Sequence, residues 1–290
     1  MVHSTIRFFE YFEPTSIKEA VSLLQKYGAE AKIVDGGTDL VPQLKTREIE
    51  PNYVVDISRI KDLNYINDCR EDLRIGAVTT HDALRRSPLI ERKAPALTEA
   101  LRELGNVQIQ NLGTIGGNLA NASPAADTAP PLMVLGARLK VVGPEGEVVV
   151  PVEDFFISVN KTVLEENQLV TEIQIPTSPP STGSAFAKLG RRAGHDLSIA
   201  SAAAAVTLDR DICRDVRIAL GSVAPTPLRA TKTEDFLRGK RLDEGVFDEA
   251  SEIAADEISP ISDVRASAQY RIAVSKVLVQ MAVKTAAMRR

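Results

Sequence analysis

Hydrophobic and polar positions first mark a helix. Ser16 to Glu19 reads as a capping box, and Ala20, Val21, Leu23, Leu24 and Tyr27 follow at helical spacing up to Gly28, a C-terminal stop. A short apolar segment, 32–34, runs into "DGGTD" (Asp35 to Asp39) and then into the more helical "LVPQLKTRE", the order of strand, glycine turn and helix start. β-type runs recur at 53–57 and 73–77, with helices predicted over 84–86 and 96–104. This half therefore reads as α/β. Farther on, 138–142 and 147–152 flank "GPEG" and predict a hairpin, and a third strand, 169–175, ends at Pro176. The segment "PTSPPSTGS" (Pro176 to Ser184) has the composition of a domain boundary, with a surface loop inside one domain as the competing reading. Beyond it, runs at 198–208 and 214–221 joined by "DRDI" predict an antiparallel pair. The pattern over 263–288 predicts a long helix with an apolar stripe of Tyr270, Ala273, Val274, Val277, Leu278, Met281 and Val283, with Arg289 and Arg290 at its negative end. The C-terminal part is thus an antiparallel sheet with helices packed on it.

Composition supports two folded cores and narrows the partners. A chain of 290 residues with 44% hydrophobic and 26% charged positions is long enough for two domains. The balance of 35 basic against 39 acidic residues, net −4, supplies no global positive field for nucleic acid or an anionic membrane, so an anionic ligand must be held locally. The longest apolar run, 199–208, is too short to span a bilayer, and the start "MVHSTIRFFEYFEP" lacks a secretory pattern, so a cytoplasmic protein is expected. Cys69 and Cys213 are far apart and fit no zinc or cluster spacing, so no metal site is expected.

Two glycine pairs carry the candidate chemistry. Gly36–Gly37 and Gly116–Gly117 place unhindered backbone beside small polar side chains, a setting in which successive N–H groups can cradle an anion such as a pyrophosphate. Thr38, Thr114, Asn118 and Ser123 add neutral donors, and Asn106, Asn111 and Asn121 suit the surroundings of a polar ligand better than a core. Neither pair fits G-x-G-x-x-G after a first strand or a P-loop, so two tight turns remain the competing reading. His3, His81 and His195 are isolated, and no HExxH, G-x-S-x-G or paired-carboxylate arrangement occurs. A hydrolase is disfavoured, the histidines read as surface or structural residues, no catalytic residue is expected, and any chemistry belongs to a bound cofactor.

Four ordered motifs then resemble one family. "VDGGTDLVPQLK" (34–45), "IQNLGTIGGNLANASPAADTAPPL" (109–132), "FAKLGRRAGHDLSIASAAAAV" (186–206) and "GSVAPTPLRA" (221–230) are similar to the FAD-binding medium subunit of molybdenum hydroxylases, the group of carbon monoxide dehydrogenase and xanthine dehydrogenase. The resemblance implies an α+β chain: a two-part PCMH-type FAD-binding domain over 1–177, the type shared with vanillyl-alcohol oxidase, and a smaller C-terminal domain over 178–290. It implies FAD held through backbone N–H groups of Asp35, Gly36, Gly37, Thr38 and Asp39 and of Thr114, Ile115, Gly116, Gly117 and Asn118, with Ser123, Asp127 and Val170 also touching the cofactor. Lys188 would close the site from the C-terminal domain. By the same resemblance, electrons pass from two [2Fe–2S] clusters of a small subunit to FAD and on to NAD⁺ or a quinone. Substrate is oxidised in a molybdopterin-binding large subunit, and the assembly is a dimer of heterotrimers. Two departures stand out. Asp35 occupies a position commonly small in relatives, where a carboxylate repels a diphosphate unless it points away. The cysteine-rich loop of the cluster-bearing 4-hydroxybenzoyl-CoA reductase branch is missing. Competing readings are a self-sufficient flavin oxidase or dehydrogenase of the same fold and a scaffold that has lost its cofactor. Arg191 and Arg192 are either contacts to a partner or acceptor or solvated surface charge.

Overall fold

Ser16 opens the first helix by accepting the Glu19 N–H at 3.2 Å, while the Glu19 carboxylate reaches back to the Thr15 N–H at 2.8 Å. The predicted box thus forms with its return bond one residue earlier than expected. The computed structural model describes residues 6–192 and 196–289, so His3, His195 and Arg290 lie outside the described residues. After β1 (Glu10–Phe12), α1 (Ile17–Tyr27) buries Ala20, Val21 and Leu24 and ends at Gly28. Next come β2 (Ala31–Val34), α2 (Leu40–Thr46) and β3 (Tyr53–Asp56). The three strands form a parallel sheet in the order β1-β3-β2, steadied at one end by the stacked rings of Phe12, Tyr27 and Tyr53.

The α/β reading holds only that far. β4 (Ile66–Asp68) and β5 (Asp72–Gly76) are followed by six consecutive helices: α3 (His81–Arg85), α4 (Pro88–Lys93), α5 (Pro95–Glu103), α6 (Val107–Leu112), α7 (Ile115–Ala120) and α8 (Ala129–Val134). Then come β6 (Arg138–Gly143), β7 (Gly146–Pro151), the short pair β8 (Phe156–Ser158) and β9 (Lys161–Thr162), and β10 (Leu169–Pro176). The main sheet runs β4-β5-β10-β6-β7 and is antiparallel throughout. Because the helices form one block between β5 and β6 instead of alternating with strands, they build no βαβ crossover after β3. The block packs Leu97, Leu101, Ile115 and Leu119 onto Leu73, Ile75 and Phe155. The stretch 111–127, which holds the second glycine pair, contains α7, whose Ile115 and Leu119 are fully buried.

The C-terminal sheet is β11 (Thr182–Leu189), β12 (Ala200–Asp209), β13 (Ile212–Gly221) and β14 (Leu228–Arg229), antiparallel in sequential order. α9 (Thr231–Leu237), α10 (Glu244–Asp256) and α11 (Ala268–Met288) follow. Strand alternation gives β12 two interiors. Ala203 and Ala205 join the core of the preceding helix block, whereas Ala200, Ala202, Ala204 and Val206 face the cluster built with α11. Small side chains on both faces let helices approach the strand from either side at close-packed distance. The architecture is α+β.

The last helix differs from its predicted form. It starts at Ala268 because Ser267 caps it, accepting the Tyr270 N–H at 3.2 Å, and Asp263 instead receives Arg265 and Arg271, each at 2.7 Å. Leu278, Val279, Ala282, Val283 and Ala286 face the sheet, while Tyr270, Val277 and Met281 of the predicted stripe are exposed. Apolar residues encircle this helix, so spacing alone could not select the buried face.

Glu234 ties this domain together from a buried position, accepting the Ile218 N–H at 2.8 Å and Nε and Nη2 of Arg229, both at 2.7 Å. Replacing it with Ala strands the buried Ile218 N–H and leaves Arg229 with Glu153 alone, and we expect Glu234→Ala to lower unfolding free energy by about 3 kcal/mol in urea denaturation.

Candidate cofactor site

The chain leaves β2 at Val34 and turns through Asp35 to Asp39 into α2. Gly37 has a φ of 67°, in the left-handed region that favours glycine. At Gly36 the constraint is contact: a Cβ there would lie 1.8 Å from the Leu112 carbonyl oxygen, so only glycine lets this turn rest against the end of α6. The N–H groups of Gly36, Gly37, Thr38 and Asp39 donate to no backbone carbonyl among the described residues. They form a row of donors available to an anion.

The second glycine pair is built differently. Thr114 caps α7, its Oγ1 accepting the Gly117 N–H at 3.3 Å. Ile115 N–H donates to the Thr79 carbonyl at 3.1 Å, Gly116 N–H to Ala77 at 2.9 Å and Asn118 N–H to Thr114 at 2.9 Å. These donors are therefore already engaged. Gly116 fits because a Cβ would meet Ala77 at 2.7 Å. At Gly117, apart from its own helix backbone, only Thr114 Oγ1 at 3.0 Å would approach a Cβ, and the rest of that face is open.

A cavity of 690 Å³ lies between the two loops, within the range of small-molecule and cofactor sites. Asp35, Gly36, Gly37, Thr38 and Asp39 line one wall, and Thr114, Gly116, Gly117 and Asn118 the other. Asp127 and Val170 also face it. Ile115 does not, its side chain being in the core. Ser123 also stays out and accepts the Ala125 N–H at 3.3 Å. Of the asparagines, Asn118 and Asn121 reach the cavity, whereas Asn106 caps α6 and Asn111 is exposed.

Lys188 lies on β11 beside a smaller hollow of 350 Å³ shared with Glu103, Arg191, Arg192 and Asp196. Its ammonium is buried. It donates to Asp127 Oδ2 at 2.6 Å, to the Asp196 carbonyl at 3.0 Å and to the Glu103 carbonyl at the end of α5 at 3.1 Å. Ser198 Oγ donates to the other Asp127 oxygen. Burial pushes the Asp127 carboxyl up, and the Lys188 ammonium opposes that shift. This pair joins the C-terminal sheet to the wall of the cavity.

Several lining residues carry no signal in the sequence. His81, at the start of α3, reaches the cavity with Nδ1 unpartnered, and burial lowers its pKa to about 4, so the ring is neutral at physiological pH. Asn160 arrives from the β8–β9 turn, and Leu164 and Leu169 supply apolar wall. Burial raises Asp35 to about 6; a hydrogen bond from Thr114 lowers it and the nearby Asp56 charge raises it. The residues present fit a dinucleotide: a row of free N–H groups and an open glycine face border one cavity, and Asp35 and His81, each with a buried polar atom lacking a partner, are among its lining residues.

Comparison with known proteins agrees with this arrangement. Residues 7–178 match the family described as the FAD binding domain in molybdopterin dehydrogenase, and residues 184–286 the CO dehydrogenase flavoprotein C-terminal domain. The carbon monoxide dehydrogenase medium chain of Afipia carboxidovorans is 38% identical, with 96% of each chain covered. The glyceraldehyde dehydrogenase medium chain of Sulfolobus acidocaldarius is 33% identical over 96% of this chain and 98% of its own length. Among solved structures, reconstituted CO dehydrogenase from Oligotropha carboxidovorans superposes with a TM-score of 0.95 at 37% identity, covering 99% of this chain and all of that one (100%). Quinoline 2-oxidoreductase from Pseudomonas putida 86 follows at 0.92 and 30%, with 98% of each chain covered. With both domains matched in order across a PCMH-type fold whose glycine loops wall one cavity, the chain belongs to the FAD-binding medium subunits of the molybdenum hydroxylase family.

Proposed function

We propose that this chain passes electrons from [2Fe–2S] clusters of a small partner subunit, through FAD in the cavity, to an acceptor such as NAD⁺ or a quinone, while a molybdopterin-binding large subunit oxidises the substrate. The observation that carries this reading is the cavity itself: both glycine loops open onto it, and its first loop presents unpaired N–H groups. No helix among the described residues is long and apolar enough to cross a membrane, and no group of metal-ligating side chains occurs among them. In this scheme the metal centres belong to the partners.

The residues divide the binding work. The N–H groups of Gly36, Gly37, Thr38 and Asp39 hold the diphosphate in place of a cation cluster, since Lys32 is the single cation among the described lining residues. Thr114, Gly116, Gly117 and Asn118 form the opposite wall, with Ile115 anchoring it from the core. Val170 contributes apolar contact from β10. Ser123 shapes the turn leading to Asp127, and Lys188 holds Asp127 and the end of α5 so that the C-terminal domain closes the site. When bound, flavin supplies the exchange between one-electron and two-electron carriers. None of these side chains acts as acid, base or nucleophile. We place the domain division at residues 177 and 178, and the full assembly as a dimer of heterotrimers.

Purification of the untagged protein from its own cells tests the reading. We expect a large molybdenum subunit and a small iron–sulfur subunit to co-purify, with a flavin spectrum; a chain that takes up no FAD even on reconstitution sinks it. Gly36→Ala forces the two loops apart and is expected to weaken FAD binding at least tenfold, about 1.4 kcal/mol, in fluorescence-quenching titrations. Lys188→Ala leaves the Asp127 carboxylate buried and unpaired, so we expect about 3 kcal/mol lost in thermal or urea unfolding together with faster release of flavin.

A further inference from the structure

The cavity is acidic where an anion is to sit. Asp35, Asp39 and Glu48 line it near the first loop, with Asp127 and Asp196 elsewhere on its wall, and Lys188 already balances Asp127. A diphosphate adds two further negative charges. Asp35 is the carboxylate with an unmet need: its Oδ2 is buried without a hydrogen-bond partner, in the same turn whose N–H groups are free. Ionised, that oxygen is a buried acceptor with nothing to accept, set beside another anion. Protonated, the carboxyl becomes a donor, which is what a phosphate or ribitol oxygen can use.

We propose that Asp35 positions FAD as a neutral carboxylic acid, donating its O–H to an oxygen of the dinucleotide, so that each FAD bound takes up one proton from solvent. The inference rests on the proposed placement of the diphosphate at this loop. The step is a proton transfer from water or buffer to the Asp35 carboxylate; no bond of FAD is made or broken.

The surroundings raise the Asp35 carboxyl before the ligand arrives yet leave it ionised well above pH 6, so the proton is taken up on binding. Burial raises Asp35 to about 6, and Asp56 from β3 adds to the shift while Thr114 from α7 resists it. Asp39, in the same turn, is shifted upward by partial burial although its side chain reaches solvent. Glu48 adds negative charge, Lys32 of β2 is the nearby cation, and His81 from α3, lowered to about 4, is uncharged above that pH and takes up no proton there. The sign follows directly. The folded-state value lies above the ordinary carboxylate value of 3.8, so the unliganded fold loses stability as pH rises from about 4 to about 6. An anion binding beside Asp35 raises its pKa further, so affinity falls as pH rises above 6.

Calorimetric titration of FAD into the full chain freed of flavin, at pH 7.5 in buffers of different ionisation enthalpy, counts the protons. We expect about one proton per FAD and an affinity that falls about tenfold per pH unit from 7 to 8.5. Asp35→Asn should bind at least as tightly at pH 7.5, with no proton uptake and a flat pH profile, and Glu48→Gln should keep the uptake. Uptake below ~0.25 proton by the unaltered chain with pH-independent affinity overturns the proposal without touching the FAD site, as does uptake that persists in Asp35→Asn. A low proton count on the unaltered chain overturns the proposal even where a variant misfolds. Failure of the unaltered chain to bind FAD removes the placement and the proposal together.

Discussion

The contact between Gly36 and the carbonyl of Leu112 sets the geometry on which the site depends. A turn from the parallel sheet and the end of α6 meet with no room for a side-chain carbon, since a Cβ would come within 1.8 Å of that oxygen. Behind this contact Gly113 accepts the His81 N–H at 2.9 Å, and Gly116 packs against Ala77. The two parts of the N-terminal domain are held at one spacing, and the cavity is the space left beside their contact. Glycine serves two purposes here. At Gly36 and Gly116 it permits backbone to meet protein, and at Gly117 it leaves a face open to a ligand.

Charge is handled in the same economical way. Among the described residues no arginine or lysine cluster lines the cavity, and in the proposed reading a diphosphate there depends on backbone N–H dipoles, which need no counter-charge and lose no side-chain entropy on binding. The one buried ammonium, Lys188, is spent on architecture. It ties Asp127 to the ends of two segments from different domains, and burial of both partners makes the pair costly to break from one side. The C-terminal sheet is coupled to the site through this pair and through Phe186, Ala203, Ala205 and Ala219, which belong to the same core as the helix block.

Much of the fold was legible because local rules and tertiary packing agree. The capping box at Ser16, the hairpin around "GPEG", the strand ending at Pro176 and the antiparallel pair through "DRDI" are fixed by neighbouring residues, and each is present. Misreadings came where long-range pairing decides. Alternating strand and helix patterns suggested α/β for the N-terminal half, yet its later strands pair antiparallel around an uninterrupted block of helices. Apolar residues encircle the helix α11, so packing against β11, β12 and α10 selected its buried face.

For the site, the sequence by itself determined the two glycine pairs, the lack of a Rossmann or P-loop fingerprint, the net negative charge and the family resemblance, because these are matters of residue type and spacing. Tertiary structure decided which backbone donors are free. The N–H groups at 36 to 39 have no backbone acceptor among the described residues, whereas those at 115, 116 and 118 are engaged by Thr79, Ala77 and Thr114. It also brought His81 and Asn160 to the cavity and buried one oxygen of Asp35 without a partner. Hydrogen-bond satisfaction and desolvation depend on groups distant in the chain, so they arise only once it has folded.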